Sequence, residues 1–107
     1  MQQILKQHYI LKTLKSLKPI FQKDGFIILG LFGSFARDEA NLNSDIDILY
    51  ELKEPFFQQN SGFSGFSKLN QIRDSFSEIF HLDIDICAKS GLSKTGEKYI
   101  LNEVIYL

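Results

Sequence analysis

The sequence predicts an α/β (α+β) domain in which a small mixed β-sheet is flanked by helices. Three observations lead there. Residues 26–32 form a short, almost wholly apolar run, FIILGLF. Residues 44–51 and 81–88 alternate polar and apolar side chains, each with two Asp on one face. The stretches between them carry apolar residues at helical spacing. Strands separated by helices favour an α/β arrangement, and 107 residues suffice for one domain, residues 1–107, but not for two.

Taken in order, residues 3–23 place Ile4, Leu5, Tyr9, Leu11, Leu14, Leu17, Ile20 and Phe21 at three- and four-residue steps, the pattern of an amphipathic helix. Pro19 is expected to kink or shorten it, and Asp24-Gly25 to stop it. The run 26–32 reads as a strand buried on both faces. It turns at Gly33-Ser34 into a short helix, and a polar loop follows over 41–44. In the second strand, 44–51, Asp45 and Asp47 share one face and Ile46 and Ile48 the other. Residues 52–62 read as an irregular loop around Pro55, anchored by Phe56 and Phe57. A helix from Ser64 or Ser67 to Phe80 carries Leu69, Ile72, Phe76, Ile79 and Phe80, with Ser67 as its N-cap. The third strand, 81–88, presents Asp83 and Asp85 on one face. After the Ser90-Gly91 break, residues 94–107 read as a closing helix with Tyr99, Ile100, Val104 and Leu107 on its apolar side. The predicted order is α-β-α-β-α-β-α.

Composition narrows the function. Hydrophobic residues make up 44% of the chain, and ten Phe with no Trp imply a core filled by phenyl rings. The net charge is -1, from 12 basic and 13 acidic residues. A protein that grips nucleic acid by its phosphates carries a basic excess, so direct nucleic-acid binding is not expected. The lone Cys87 has no internal disulfide partner, and His8 and His81 are too far apart in sequence to form a zinc motif. The opening MQQILKQHYILKTLK lacks a secretory apolar core, and no segment spans a bilayer. A cytoplasmic protein without membrane contact is therefore expected. An edge strand of so small a sheet could pair with a second copy, giving a homo-oligomer.

The chemistry concentrates in a few residues. Two carboxylates at i and i+2 on a strand point the same way, about 6–7 Å apart. Such a pair repels itself and is costly to bury unless a cation neutralises it. Asp83 and Asp85 form a second pair. If the two strands are neighbours, a third carboxylate comes within reach of Asp45 and Asp47. Three Asp oxygens suit Mg²⁺ or Mn²⁺ and not zinc. Two ions about 4 Å apart would stabilise the attacking and leaving oxygens of a phosphoryl displacement. Gly33 lets backbone N–H groups approach a phosphate at the start of the following helix. Ser34 adds a hydroxyl, and Arg37 a cation one turn on. Each has a plainer alternative: Gly33 as a tight turn, Ser34 as an N-cap, Arg37 as a surface cation, Ser44 as a cap on the strand, and the Asp residues as solvated carboxylates. Cys87 reads as a small buried hydrophobe. Phe56, Phe57, Phe63 and Phe66 read as core or loop anchors, and as a partner surface if exposed.

Residues 30–47, GLFGSFARDEANLNSDID, resemble the G-S-x-A-x-G…S-D-x-D signature of the polymerase-β-type nucleotidyltransferase superfamily. The chain is similar, more narrowly, to the minimal nucleotidyltransferases, the MNT family. Ile84-Asp85-Ile86-Cys87 and the spacing to Leu92 match that family's third-carboxylate segment, which selects Asp85 over Asp83. Residues 100–104 resemble its last helix. The resemblance implies the polymerase-β-like fold, ATP as substrate and two Mg²⁺ as cofactor, with Mn²⁺ an alternative. It implies catalytic and metal-binding roles for Asp45, Asp47 and Asp85, and nucleotide binding by Gly33 and Ser34, to which Arg37 and Ser44 are added as candidate nucleotide-binding residues. It further implies transfer of AMP to a hydroxyl, a tyrosine of a HEPN-domain toxin, with this protein as the antitoxin. Alternatives are a non-catalytic antitoxin on the same scaffold and a transferase with a small-molecule acceptor. Asp38 departs from the pattern, standing where the family has a second Gly. The expected consequences are a reshaped helix exit and a negative charge beside the phosphate site.

Overall fold

The computed structural model describes residues 4–107, so the predicted helix start at Gln3 lies outside the described residues. Helix α1, Gln7–Gln22, follows an extended Lys6 and turns Ile10 and Leu14 into the core. Pro19 lies inside α1 without ending it. Its ring removes the bond that its N–H would make to residue 15, yet three further residues stay helical.

Strand β1, Phe26–Phe32, and strand β2, Ile46–Leu52, pair antiparallel, from Phe26↔Leu52 to Phe32↔Asp47. Strand β3, Ile84–Ala88, lies parallel to β2 on its other side, with Asp47 opposite Asp85. Two residues, Ile105–Tyr106, form β4 and complete a mixed four-stranded sheet of order β3-β2-β1-β4. A bulge in β1 between Ile28 and Gly30 shifts the register. At Gly30 a β-carbon would strike the carbonyl oxygen of Ile105, so glycine is what lets β4 dock.

Alternation then sorts the two faces. Phe26, Ile28, Ile46, Ile48, Tyr50 and Ile84 join Ile10 and Leu14 of α1, and Ile72, Phe76 and Phe80 of α4 (Phe63–Phe80), in one cluster. Phe26 stacks on Tyr50 with ring centroids 4.6 Å apart, so phenyl rings do fill the centre. Ile27, Leu29 and Phe32 keep partial exposure; β1 is fully buried on one face only, a correction to the two-face expectation. The opposite face of β2 and β3 carries Asp47, Leu49, Asp85 and Cys87.

Several expected boundaries move. Residues 52–62 are not one irregular loop: Glu54–Gln59 form helix α3, which Pro55 starts in its first turn and Phe56 pins to the core at 2% exposure. Helix α4 starts at Phe63, one residue before Ser64 of the two expected starts, so Ser67 is not its N-cap; the N-cap is Gly62, at φ 61. Strand β3 begins at Ile84 because His81 takes the left-handed conformation, φ 58, and donates its N–H to Ser77 O as it ends α4. The closing helix α5, Lys94–Glu103, is capped by Ser93 and stops before Val104. Beyond it the β-branched Val104-Ile105 pair extends along the open edge of β1, which explains why the chain leaves the helix there. No helix among the described residues is long and apolar enough to cross a membrane.

Candidate active site

The site gathers on the polar face where β1 ends and β2 begins. Gly33 opens α2, Gly33–Ala36, a single turn. A helix of four residues sums almost no dipole, so the loop offers N–H donors and little of the field expected from a longer helix. Gly33 stands at φ +77, a conformation that disfavours a side chain. A β-carbon there would collide with the Asp47 carboxylate, lying within 2.8 Å of Asp47 Cγ. The glycine loop and the aspartate are thus in direct contact. Gln7 of α1 fixes the far end of the turn, donating from Nε2 to Phe35 O at 3.0 Å and Ala36 O at 2.9 Å.

The parallel pairing of β2 and β3 answers the question of adjacency. Asp85 sits in register with Asp47, and neighbouring strands lie about 4.8 Å apart. Asp45 is half-buried just before β2, where Ile46 N–H donates to Asp83 O at 3.0 Å. Asp83 is exposed and precedes β3. The Asp47 carboxyl is pushed up to about 6, first by burial and then by the charges of Asp85 and Asp45. Among the described residues no three His, Cys, Asp or Glu side chains are gathered closely enough to hold a metal ion as they stand. The donor set nevertheless suits a hard cation. All three are carboxylates on one face, and burial together with the charges of the other two raises the central one. Coordination asks for side-chain rotation.

Arg37 is exposed and already engaged. Its Nε donates to Glu39 Oε2 at 3.1 Å and its Nη1 to Glu103 Oε2 at 3.0 Å. These bonds, that to Glu103 first, hold the guanidinium firmly protonated. Glu103 Oε1 also accepts the Gly33 N–H at 3.0 Å. Sequence reasoning assigned Glu103 no role. A signal did exist, since a carboxylate in the last turn of a helix opposes the dipole and implies an outside partner. The Ser34 side chain is half-buried, and the Ser44 hydroxyl oxygen accepts the Asn41 N–H at 2.9 Å, which shapes the 41–44 loop. Asp38 adopts φ 59. The position stands in the left-handed conformation that glycine favours, and Asp tolerates it better than most residues do.

Asp47 gives a prediction on stability. In the unfolded chain it ionises near its ordinary 3.8, in the native protein near 6. Between those values the native state holds a proton that the unfolded state has lost, so this group makes stability fall as pH rises. The full shift would correspond to about 3 kcal/mol, and half exposure reduces that to roughly 1–2 kcal/mol. In chelator, Asp47→Asn should melt with wild type near pH 4 and about 5 °C higher above pH 6. Equal melting temperatures from pH 5 to 8 would show that the carboxylate is not strained.

Comparison with known proteins agrees with this geometry. The nucleotidyltransferase domain family matches residues 8–107. The protein adenylyltransferase MntA of Thermococcus cleftensis is 29% identical over 90 residues, 84% of this chain and 83% of its own length. A candidate protein adenylyltransferase of Methanocaldococcus jannaschii is 28% identical over 106 residues, covering 91% of this chain and 100% of its own. The solved structure of a candidate minimal nucleotidyltransferase superposes with a TM-score of 0.72 at 21% identity, covering 99% of this chain and 100% of that one. At that identity the superposition establishes the fold.

Proposed function

Since the chain belongs to the nucleotidyltransferase domain family, as a minimal nucleotidyltransferase, we propose that it transfers AMP from ATP to a hydroxyl on a partner protein. The observation that carries this reading is the in-register pair Asp47 and Asp85, with Asp45 at the head of the same strand and the Gly33 turn against Asp47. The names of its relatives, protein adenylyltransferases, supply the nucleotide and the acceptor class. The acceptor proposed is a tyrosine of a HEPN-domain toxin, which makes this protein the antitoxin.

The chain's own residues divide the work. The Gly33 N–H, the Ser34 hydroxyl and Arg37 would hold the β- and γ-phosphates, with Ser44 at the edge of the loop. Asp45, Asp47 and Asp85 would hold two Mg²⁺. When bound, these ions neutralise charge on the phosphates and lower the pKa of a coordinated hydroxyl. Asp85, the most exposed of the three, would take the proton from the acceptor. The acceptor oxygen bonds to the α-phosphorus, the bridging bond to the β-phosphate breaks, and pyrophosphate carries off that electron pair.

A second reading has its own observation. Phe57, Phe63 and Phe66 are 56%, 89% and 69% exposed around α3 and the start of α4. Only Phe56 of that set is a core anchor. Such a surface suits a partner helix and would support neutralisation by contact alone. The two readings separate in one experiment. ATP labelled at the α-phosphate is incubated with Mg²⁺, this protein and a HEPN-domain toxin as the proposed acceptor. Label on the toxin, and none from γ-labelled ATP, is the expected result. Neutralisation of the toxin without label would favour contact.

A further inference from the structure

Glu103 stands against the direction of its helix. The last turn of α5 is the negative end of the backbone dipole, where a cation is favoured. The side chain reaches away from it to two donors. Oε1 accepts the Gly33 N–H and Oε2 accepts Arg37 Nη1, each at 3.0 Å. On the reading above, these same two groups receive phosphate. The carboxylate spans them as two oxygens of a phosphate would. Its side chain is 25% exposed, so solvent reaches it.

We propose that Glu103 is a built-in anion on the glycine turn, which a nucleotide's phosphate chain must displace in order to bind. It rests on the nucleotide reading of this turn. Two features of the geometry suit exchange. Glu39 holds Arg37 through Nε, while Glu103 holds it through Nη1. Removing Glu103 therefore frees the outer edge of the guanidinium without releasing the side chain. The turn itself is braced independently, by Gln7 on the carbonyls of Phe35 and Ala36. The loop can trade one anion for another and keep its shape. Glu103 thus keeps the donors ordered and sets a threshold against weakly bound anions.

The test is calorimetric titration of ATP with Mg²⁺, and separately of inorganic tripolyphosphate, into wild type, Glu103→Gln and Glu103→Ala. Gln keeps the size and can still accept the Gly33 N–H, a bond that Ala removes; thermal melting checks that both variants are folded. Both ligands should bind Glu103→Gln about tenfold tighter, a difference of roughly 1.4 kcal/mol. Wild type that binds ATP while Glu103→Gln binds equally or more weakly would overturn the proposal and make Glu103 a brace that nucleotide leaves in place. No binding by wild type or either folded variant would overturn the nucleotide reading, and this proposal with it.

Discussion

Asp45→Asn plus Asp47→Asn should leave the fold intact and lower nucleotide transfer by about a thousandfold or more. The fold survives because neither side chain belongs to the core cluster and because Asn is isosteric. The chemistry does not survive, because an amide carries no charge with which to hold a hard cation. Metal-assisted charge stabilisation contributes several kcal/mol to a phosphoryl displacement, and each 1.36 kcal/mol is tenfold in rate. Loss of about 4 kcal/mol gives the stated factor. The check is the rate of label transfer from α-labelled ATP, measured beside a melting curve. Transfer that persists in the double variant at a tenth of the wild-type rate would remove these two residues from the mechanism.

Gly33→Ala should damage activity more than stability. A β-carbon at φ +77 is strained, at about 1–2 kcal/mol. It also collides with the Asp47 carboxylate. That carboxylate is the end of a side chain and can swing aside, which limits the stability cost. The swing displaces the carboxylate that sits beside Asp85, and a displacement near 1 Å can cost about a hundredfold in rate. The expected result is a melting temperature lowered by a few degrees and transfer lowered by about two orders of magnitude. A double-mutant cycle isolates the cause. In an Asp47→Ala background the stability cost of Gly33→Ala should shrink, because the collision is gone and only the backbone strain remains. Additive costs would show that Gly33 and Asp47 are not coupled.

How much of this was legible in the sequence depends on the range of the interaction. The Asp45-Ile46-Asp47 alternation states its own geometry, since period two puts both carboxylates on the face opposite Ile46 and Ile48. The FIILGLF strand and the turn at Gly33 are equally local. The Asp47–Asp85 register is different, because parallel pairing joins residues far apart in sequence and no local pattern encodes it. The 44–51 and 81–88 pairs showed only that it was worth expecting. Helix α3 was missed because Pro55 reads as a breaker, whereas at a helix start it is a favoured residue. Strand β4 was missed because Val104 and Leu107 continue the spacing of α5. Only the free edge of β1 decides in favour of a strand. Asp38 illustrates the reverse case. The residue departs from the family pattern, yet it stands at φ 59, in the left-handed region that glycine favours. Glu103 is the largest omission, since its partners are the first residue of α2 and the residue that follows that helix, some 66 to 70 residues away.

The most direct test of the central claim, a nucleotide and metal site built by Asp45, Asp47 and Asp85 beside the Gly33 turn, is calorimetric titration of ATP with and without Mg²⁺. It is run on wild type and on the Asp45→Asn plus Asp47→Asn variant. Binding in wild type that requires Mg²⁺ and disappears in the folded variant is the expected result. Binding of equal strength in both proteins, or binding indifferent to Mg²⁺, would contradict it.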